Sequence, residues 1–506
     1  MKMLARTLLA TAMLGTFSAK AQIPQKNSLS SKDSVIHALF DLALTQGHAY
    51  ARLGELCNEI GPRLSGSDNA ERGIQWAVSM LKSYQFNLVD TQTVFVPRWE
   101  RGSVEEVKFS SALLSQAFKS KDQFKAFQLE VLKSTYPNSP YPSAECESFL
   151  NTLKTTQKMY KIPAVALGGS VAGKMTAPVI AIQTKRAIDS LGQLGLLKGK
   201  IVLLNRPMDE KLLNTFQAYG GCVSQRVQGA NWCAPYGALA VLVRSVSNRC
   251  DLHAHTGVTH YDSGVKQIPM AAVATAAADV LQFLSMHDPS LMVQLELTCK
   301  TLPDRASANV LAQTNGGQYP EKIIAFGGHF DSWDEGQGAH DDGAGCMHAF
   351  EALRLLKMIG YQPKHTLRCV FWINEENGLR GGLEYARRAK LNHEKHIVAL
   401  ESDRGGFTPR GFGVDSLLML KLRHYAPILE NYGIGTLEKG GGGADIGPLK
   451  TVDPSTQFVS FIPDSQRYFD VHHAETDVFS SVNKRELAMG AAAVAAIIYL
   501  IDSELD

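Results

Sequence analysis

An α/β architecture, with a mixed and mainly parallel central sheet flanked by helices, is the fold class that the sequence predicts. Three observations carry it. Short apolar runs such as Cys369-Val370-Phe371-Trp372-Ile373 and Ile397-Val398-Ala399-Leu400 have the length and continuity of strands buried on both faces. Polar residues follow these runs at once, at the position where the carboxyl ends of strands in an open α/β sheet line the ligand crevice. A chain of 506 residues with 45% hydrophobic content can bury a large core and is expected to hold more than one domain.

The chain opens with the basic Met1-Lys2-Met3-Leu4-Ala5-Arg6, an apolar run from Thr7 to Phe17, and Ala19-Lys20-Ala21, which fits the small-residue cleavage rule. A signal peptide over 1–21, cut after Ala21, is expected, and with it a secreted or periplasmic protein. The alternative is an uncleaved anchor, for which the apolar run is too short. Further on, residues 110–160 are rich in Lys, Ser, Gln and Phe, with helical character from Gln116 to Lys133 and a proline-rich break at 137–142. They read as a helical insertion on the α/β domain, a passive surface addition in preference to a functional one.

From about 178 to 300 the texture changes to short strands separated by turns. Val179-Ile180-Ala181-Ile182, Lys200-Ile201-Val202-Leu203-Leu204 and Leu239-Ala240-Val241-Leu242-Val243 are strand-like, and Ile268-Pro269 opens another segment. No candidate site residue falls in this stretch. It is equally readable as a packing or dimer module and as a wall or lid over a cleft.

The chemistry lies downstream, in H-F-D-S-W-D-E-G-Q-G-A-H-D-D-G-A-G from His329 to Gly345. Carboxylates held this close repel, and a divalent cation relieves the repulsion while taking imidazole and carboxylate as ligands. Further candidates are Glu375 and Glu376 after one apolar run, Asp403 after the next, and His472 and His473 after Tyr468-Phe469-Asp470-Val471. Each has a bland counterpart. Asp341-Asp342 could cap a helix over 344–357, the glutamate pair could cap the helix expected near Gly378, and Asp403 could be a turn residue. Asp445, after four glycines, reads as structural support. What favours a site is the repetition of one logic across separate segments.

These residues carry a resemblance. G-G-H-F-D-S-W-D-E-G-Q-G-A-H-D-D-G-A-G, N-E-E-N-G-L-R-G, E-S-D and H-H-A-E-T-D resemble the two-zinc aminopeptidase family, and within it the plasma glutamate carboxypeptidase (carboxypeptidase Q) branch. R-L-S-G-S at 63–67, P-R-W-E-R-G at 97–102 and H-T-G at 255–257 resemble it too, and the likeness covers most of 48–107 and 160–506. The resemblance implies a zinc-peptidase fold whose catalytic domain is split into 33–177 and 303–506 by a β-rich protease-associated domain over 178–302. It implies two zinc ions. Asp341 would bridge them, His329 and Asp403 would complete one site, and Glu376 and His473 the other. Glu375 would be the general base and Asp331 would orient His329. His472 and His473 are rival ligands, and the spacing to Asp477 in the family's pattern selects His473. Where some relatives carry an oxyanion-stabilising tyrosine, this chain has Gly440 to Gly443, which leaves that role to metal polarisation or backbone N–H groups.

The implied function is hydrolysis of short peptides or dipeptides from a free amino end. Two other readings are a metal-free receptor-like binding protein on the same fold and a glutaminyl-cyclase-like acyl transferase. A balance of 51 basic against 49 acidic residues gives no electrostatic footprint for nucleic acid or anionic membrane. The run Ala491 to Ile501 is too short to span a bilayer and reads as a core helix. Homodimerisation is a family expectation. Export permits disulfides, for which Cys222, Cys233, Cys250 and Cys299 are the better candidates, whereas Cys346 and Cys369 read as buried thiols. Arg404, beside Asp403, is expected in a structural salt bridge.

Overall fold

The apolar runs become the strands of a mixed sheet. In the computed structural model, which describes residues 32–135, 144–153 and 158–506, eight strands build it: β1 (Leu88–Glu100), β2 (Lys300–Thr314), β3 (Tyr319–His329), β4 (His365–Trp372), β5 (Lys395–Glu401), β6 (Pro409–Val414), β7 (Thr436–Lys439) and β8 (Gln457–Pro463). Their order is β1-β2-β4-β3-β5-β8-β6-β7. The central pairings β4–β3, β3–β5 and β5–β8 are parallel, as is β6–β7, while β1–β2, β2–β4 and β6–β8 are antiparallel. Every residue of β4 is buried, and its second half, Cys369-Val370-Phe371-Trp372, is accordingly a continuous apolar run and not an alternating one. The expected signal peptide and the proline-rich break lie outside the described residues.

Helices cover this sheet. Ala344–Met358 is buried along nearly its whole length and packs with Lys32–Gln46 and Lys484–Glu504 in one core. The last of these is long and apolar, yet it is buried from Gly490 to Asp502, as a core helix is. Asp502 ties its end to the sheet. Its carboxylate accepts from the backbone N–H groups of Lys364 and His365, both at 2.9 Å, and from the Tyr361 hydroxyl at 2.5 Å.

A second eight-stranded sheet occupies the middle of the chain, in the order Tyr160–Ile162, Glu105–Ser110, Met292–Leu297, Gly173–Ile182, Ile201–Leu204, Ala240–Arg244, Met270–Val273 and Ala164–Ala166. It corrects the sequence reading in three ways. The chain leaves the first sheet at Arg101 and returns at Lys300, so the second layer begins well before 178. Gly102 makes that crossing with φ +88°, where an added Cβ would lie 2.4 Å from the Thr298 carbonyl oxygen. Second, the helices Ala112–Ala117, Lys121–Thr135 and Ala144–Thr152 pack through Leu114, Phe127, Phe149 and Leu150 onto Val107, Phe109 and Val293. The 110–160 insertion therefore belongs to the second sheet and not to the catalytic layer. Third, the layer also holds the helices Lys185–Gln193, Thr215–Cys222, Ser224–Cys233 and Thr275–His287. The last is buried on nearly all sides, and a helix without a polar face shows no 3.6-residue period.

The cysteine expectation also changes. Cys222, Cys233 and Cys299 are unpaired thiols lying in three separate apolar clusters. Cys346 and Cys369 are buried thiols in the catalytic core.

Candidate metal centre

The ends of the parallel strands bring the candidates together. His329 is the last residue of β3, Glu375 and Glu376 follow β4, Asp403 follows β5, and the loop after β8 carries His472 and His473. Asp341 precedes the Ala344–Met358 helix and lies between two groups of side chains. Its Oδ1 is 3.1 Å from His329 Nε2, which is itself 3.5 Å from Asp403 Oδ1. Its Oδ2 is 3.3 Å from His473 Nε2, which is 3.1 Å from Glu376 Oε2. Ligands about 2.0–2.1 Å from a tetrahedral zinc are spaced by about 3.3 Å, a spacing that the imidazole contacts on both sides of Asp341 approach. His329, Asp341 and Asp403 lie close enough together to share one ion, as do Asp341, His472 and His473.

Unsatisfied atoms agree with that fit. Asp341 Oδ2, Glu376 Oε1 and Asp403 Oδ1 are buried with no hydrogen-bond partner among the described residues, a costly state unless a cation takes them. Electrostatics point the same way. Burial, then the Asp403, Glu376 and Asp341 charges, pushes the Glu375 carboxyl well above the ordinary range. Burial and Asp341 raise Glu376 to about 7. Against burial, the hydrogen bond of His329 and the nearby His473 imidazole hold Asp341 well below the usual carboxylate range. So many carboxylates cannot all be ionised at neutral pH without added positive charge.

The supports are specific. His329 Nδ1 lies 3.0 Å from the backbone carbonyl of Asp331 and 4.0 Å from its carboxylate. The expected orienting role therefore falls to the main chain. The Asp331 carboxylate instead accepts from the N–H groups of Asn374 (2.6 Å) and Glu375 (3.1 Å), holding the glutamate turn in which Asn374 takes φ 72°. Asp342 caps the following helix by accepting from Gly345 N–H at 3.0 Å, and it also accepts from His329 N–H. Asp477 accepts from the N–H groups of His340 and Asp341 at 2.7 and 3.0 Å. Arg63, buried, donates to the carbonyls of Phe330, Gln337 and Gly338, which shapes the loop before Asp341. Glu401 accepts from the N–H groups of Ala444, Asp445 and Ile446, while the Asp445 carboxyl has no partner among the described residues and is pushed well above the ordinary range by burial and then by the Glu401 and Glu375 charges.

The second layer closes the site, through residues that sequence reasoning did not single out. A cleft of about 490 Å³ is lined by Asp341, Glu375, Glu376, Asp403 and His473 together with Phe216, Tyr219, Arg226 and His260 of that layer. Of the two earlier readings of the middle stretch, the wall fits. Arg226 donates to the Tyr219 hydroxyl at 2.7 Å, reaches within 3.3 Å of His473 Nδ1, and has no carboxylate partner among the described residues. The H-T-G motif grips the histidine loop, with His255 Nδ1 2.7 Å from the His472 carbonyl and Thr256 N–H donating to the His473 carbonyl at 2.9 Å. That motif was the available signal. In place of the expected salt bridge, Arg404 lies over the Phe216 ring, 4.8 Å from its centroid.

The comparisons with known proteins follow this geometry. The sequence profile of Peptidase family M28 matches residues 309–497. Carboxypeptidase Q of Homo sapiens is 30% identical over 489 residues, covering 94% of this chain and 90% of its own length. That of Xenopus laevis is 29% identical, covering 94% and 91%. Among solved structures, a peptidase M28 precursor from Shewanella amazonensis SB2B superposes with a TM-score of 0.78 at 28% identity, covering 94% of this chain and 97% of that one. The zinc aminopeptidase BSAP from Bacillus subtilis shares the fold, with a TM-score of 0.58 at 19% identity and coverage of 90% and 94%.

Proposed function

This chain belongs to peptidase family M28 and is a zinc-dependent metallopeptidase, and on that premise we propose that it is a secreted two-zinc exopeptidase of short peptides. The observation that carries the two-ion reading is Asp341, whose two carboxylate oxygens face His329 and His473 separately. His329, Asp341 and Asp403 would hold one ion, and Asp341, Glu376 and His473 the other. Zinc bound there would supply Lewis acidity at the scissile carbonyl and a water acidified toward neutral pH.

The chain's own residues do the rest. Glu375 lines the cleft but faces neither imidazole within ion-pair range, which leaves it free to take a proton from the attacking water and return it to the leaving amine. Asp331 fixes the Glu375 backbone. Arg226, the one arginine or lysine on the cleft wall, offers a counter-charge for a substrate carboxylate close to the scissile bond. Together they favour peptides of two or three residues. The receptor-like and cyclase-like readings fall away with membership of a metallopeptidase family.

A dipeptide panel tests the reading. The purified chain is expected to cleave free dipeptides, to bind two zinc ions by atomic emission, and to lose activity on chelation and regain it with zinc. Two bound ions without cleavage of any peptide would sink the substrate class. A single ion would sink the two-site assignment.

A further inference from the structure

We propose that His472 is a catalytic residue that donates a hydrogen bond from its ring to the carbonyl oxygen of the scissile peptide as that oxygen gains negative charge. The inference rests on the peptidase reading above and adds a residue to it. His472 lines the cleft and is only 6% exposed, yet neither ring nitrogen makes a hydrogen bond to a described residue. Nδ1 is buried without a partner. Nε2 lies 3.6 Å from Asp341 Oδ2, beyond hydrogen-bond length. Leaving such a group unpaired costs roughly 1–3 kcal/mol; Nδ1 is sealed from solvent, so Nε2 is the nitrogen that can meet a partner from outside the chain.

The ring is held firmly. Its face stacks on His473, with centroids 3.6 Å apart and planes at 21°, and Tyr219 stands at 87° to it, 5.3 Å away. Phe469 packs 5.2 Å from it, and His255 of the second layer fixes its backbone carbonyl at 2.7 Å. A fixed donor costs no reorganisation when charge develops.

His472 lies close enough to Asp341 and His473 to share an ion with them, but the stacking of the two rings argues for a different role. An imidazole binds an ion along its nitrogen lone pair, in the plane of its own ring. Two nearly parallel rings in face-to-face contact cannot both aim in-plane lone pairs at one ion. His473 is the ring whose Nε2 meets both Glu376 and Asp341. His472 is therefore displaced by one ring thickness, over the zinc ligands and on the substrate side.

The chain has a need for such a donor. Gly440 to Gly443 carry no side chain, and of the two tyrosines lining the cleft the Tyr219 hydroxyl is engaged by Arg226 at 2.7 Å, which leaves Tyr468 as the rival donor. In the proposed step the C=O bond of the scissile peptide opens to a C–O⁻ single bond as water oxygen adds to the carbon. The His472 N–H bond stays intact and only its hydrogen bond tightens. When the C–N bond breaks, the C=O bond reforms and the hydrogen bond relaxes.

The test uses the full chain with His472→Phe, His472→Gln and Tyr219→Phe. His472→Phe is expected to keep two zinc ions per chain and to lose about 10²–10³ in kcat with a far smaller change in KM. A phosphinic dipeptide analogue, which mimics the tetrahedral state, should lose affinity in parallel, while binding of the product amino acid holds. His472→Gln, which keeps an N–H donor, should recover part of both losses and guards against a folding defect in the phenylalanine variant. Loss of an ion in His472→Phe would make His472 a ligand and overturn the proposal. So would an unchanged kcat, or a loss confined to Tyr219→Phe. A wild type that binds zinc but cleaves no peptide would overturn the functional reading itself, and is told apart from these outcomes because it shows before any substitution.

Discussion

The carboxylate of Asp331 accepts the backbone N–H of Glu375 at 3.1 Å. An aspartate two residues after a metal-ligating histidine is ordinarily expected to orient that histidine, and here the main-chain carbonyl of Asp331 does so at 3.0 Å. The two jobs separate in Asp331→Ala. Zinc affinity should change little, because the carbonyl survives the substitution, whereas removal of an orienting carboxylate typically costs 10–100-fold, on the order of 1–3 kcal/mol. The expected defect is in kcat, through a Glu375 turn that has lost two hydrogen bonds. Competition with a chromogenic chelator, run beside steady-state kinetics, decides it: weakened zinc binding at unchanged kcat would return Asp331 to the orienting role.

Glu375 and Glu376 are adjacent but differ in their surroundings. Glu376 Oε2 is 3.1 Å from His473 Nε2 and Glu375 meets no imidazole. Glu375→Gln should therefore keep both zinc ions and lose about 10²–10⁴ in kcat, the usual worth of a positioned acid–base group. Glu376→Gln should lose an ion first and activity as a consequence, and added zinc should rescue it in part. Metal analysis of the two proteins at equal fold stability separates them; identical metal contents would refute the division of labour.

Arg226 carries its charge into the cleft without a carboxylate partner among the described residues. A charge-assisted hydrogen bond from it to a substrate carboxylate is worth about 1.5–3 kcal/mol, or roughly 10–100-fold. Arg226→Gln should raise KM for free dipeptides by that factor and leave the corresponding dipeptide amides almost untouched. Equal effects on acid and amide would mean that Arg226 acts only through His473, which it approaches to 3.3 Å.

Much of the site was legible because of where sequence puts chemistry. His329, Asp403 and the glutamate pair each end a buried apolar strand, and a parallel sheet carries all such ends to one edge. Asp341 and His473 were found by motif and not by periodicity, since neither sits on a strand. The wall was illegible for a different reason. Tyr219 and Arg226 lie in helices whose contact with the cleft depends on how the second layer docks, and no local pattern encodes a docking angle. The layer's early start was hidden too. Glu105–Ser110 pairs with Met292–Leu297, nearly two hundred residues away in sequence, and the short strands between them carry no sign of their partners.

One buried histidine away from the cleft should contribute to acid lability. His348, on the Ala344–Met358 helix, is fully buried, with Nδ1 3.0 Å from the Ser402 hydroxyl and Nε2 unpartnered among the described residues. The C-terminal helix presses on it: a Cβ at Gly490 would stand 2.4 Å from Nε2. Burial, helped by the neighbouring His340, pushes its pKa down from 6.5 to about 3. The sign follows from which state binds the proton first. Above pH 6.5 the ring is neutral in both states and contributes no pH dependence. Below it the unfolded chain takes up a proton that the folded chain refuses, so stability falls as pH drops from 6.5 toward 3. The full difference is on the order of 5 kcal/mol, of which about 2 kcal/mol is lost by pH 5. His348→Leu removes the titrating group at the cost of the Ser402 hydrogen bond, about 1 kcal/mol. At pH 7.5 the variant should unfold at a somewhat lower temperature than the wild type, and at pH 5 the order should narrow or reverse. Both proteins are compared after chelation, so that acid release of zinc does not contribute. Parallel pH profiles would show that His348 is not the group responsible.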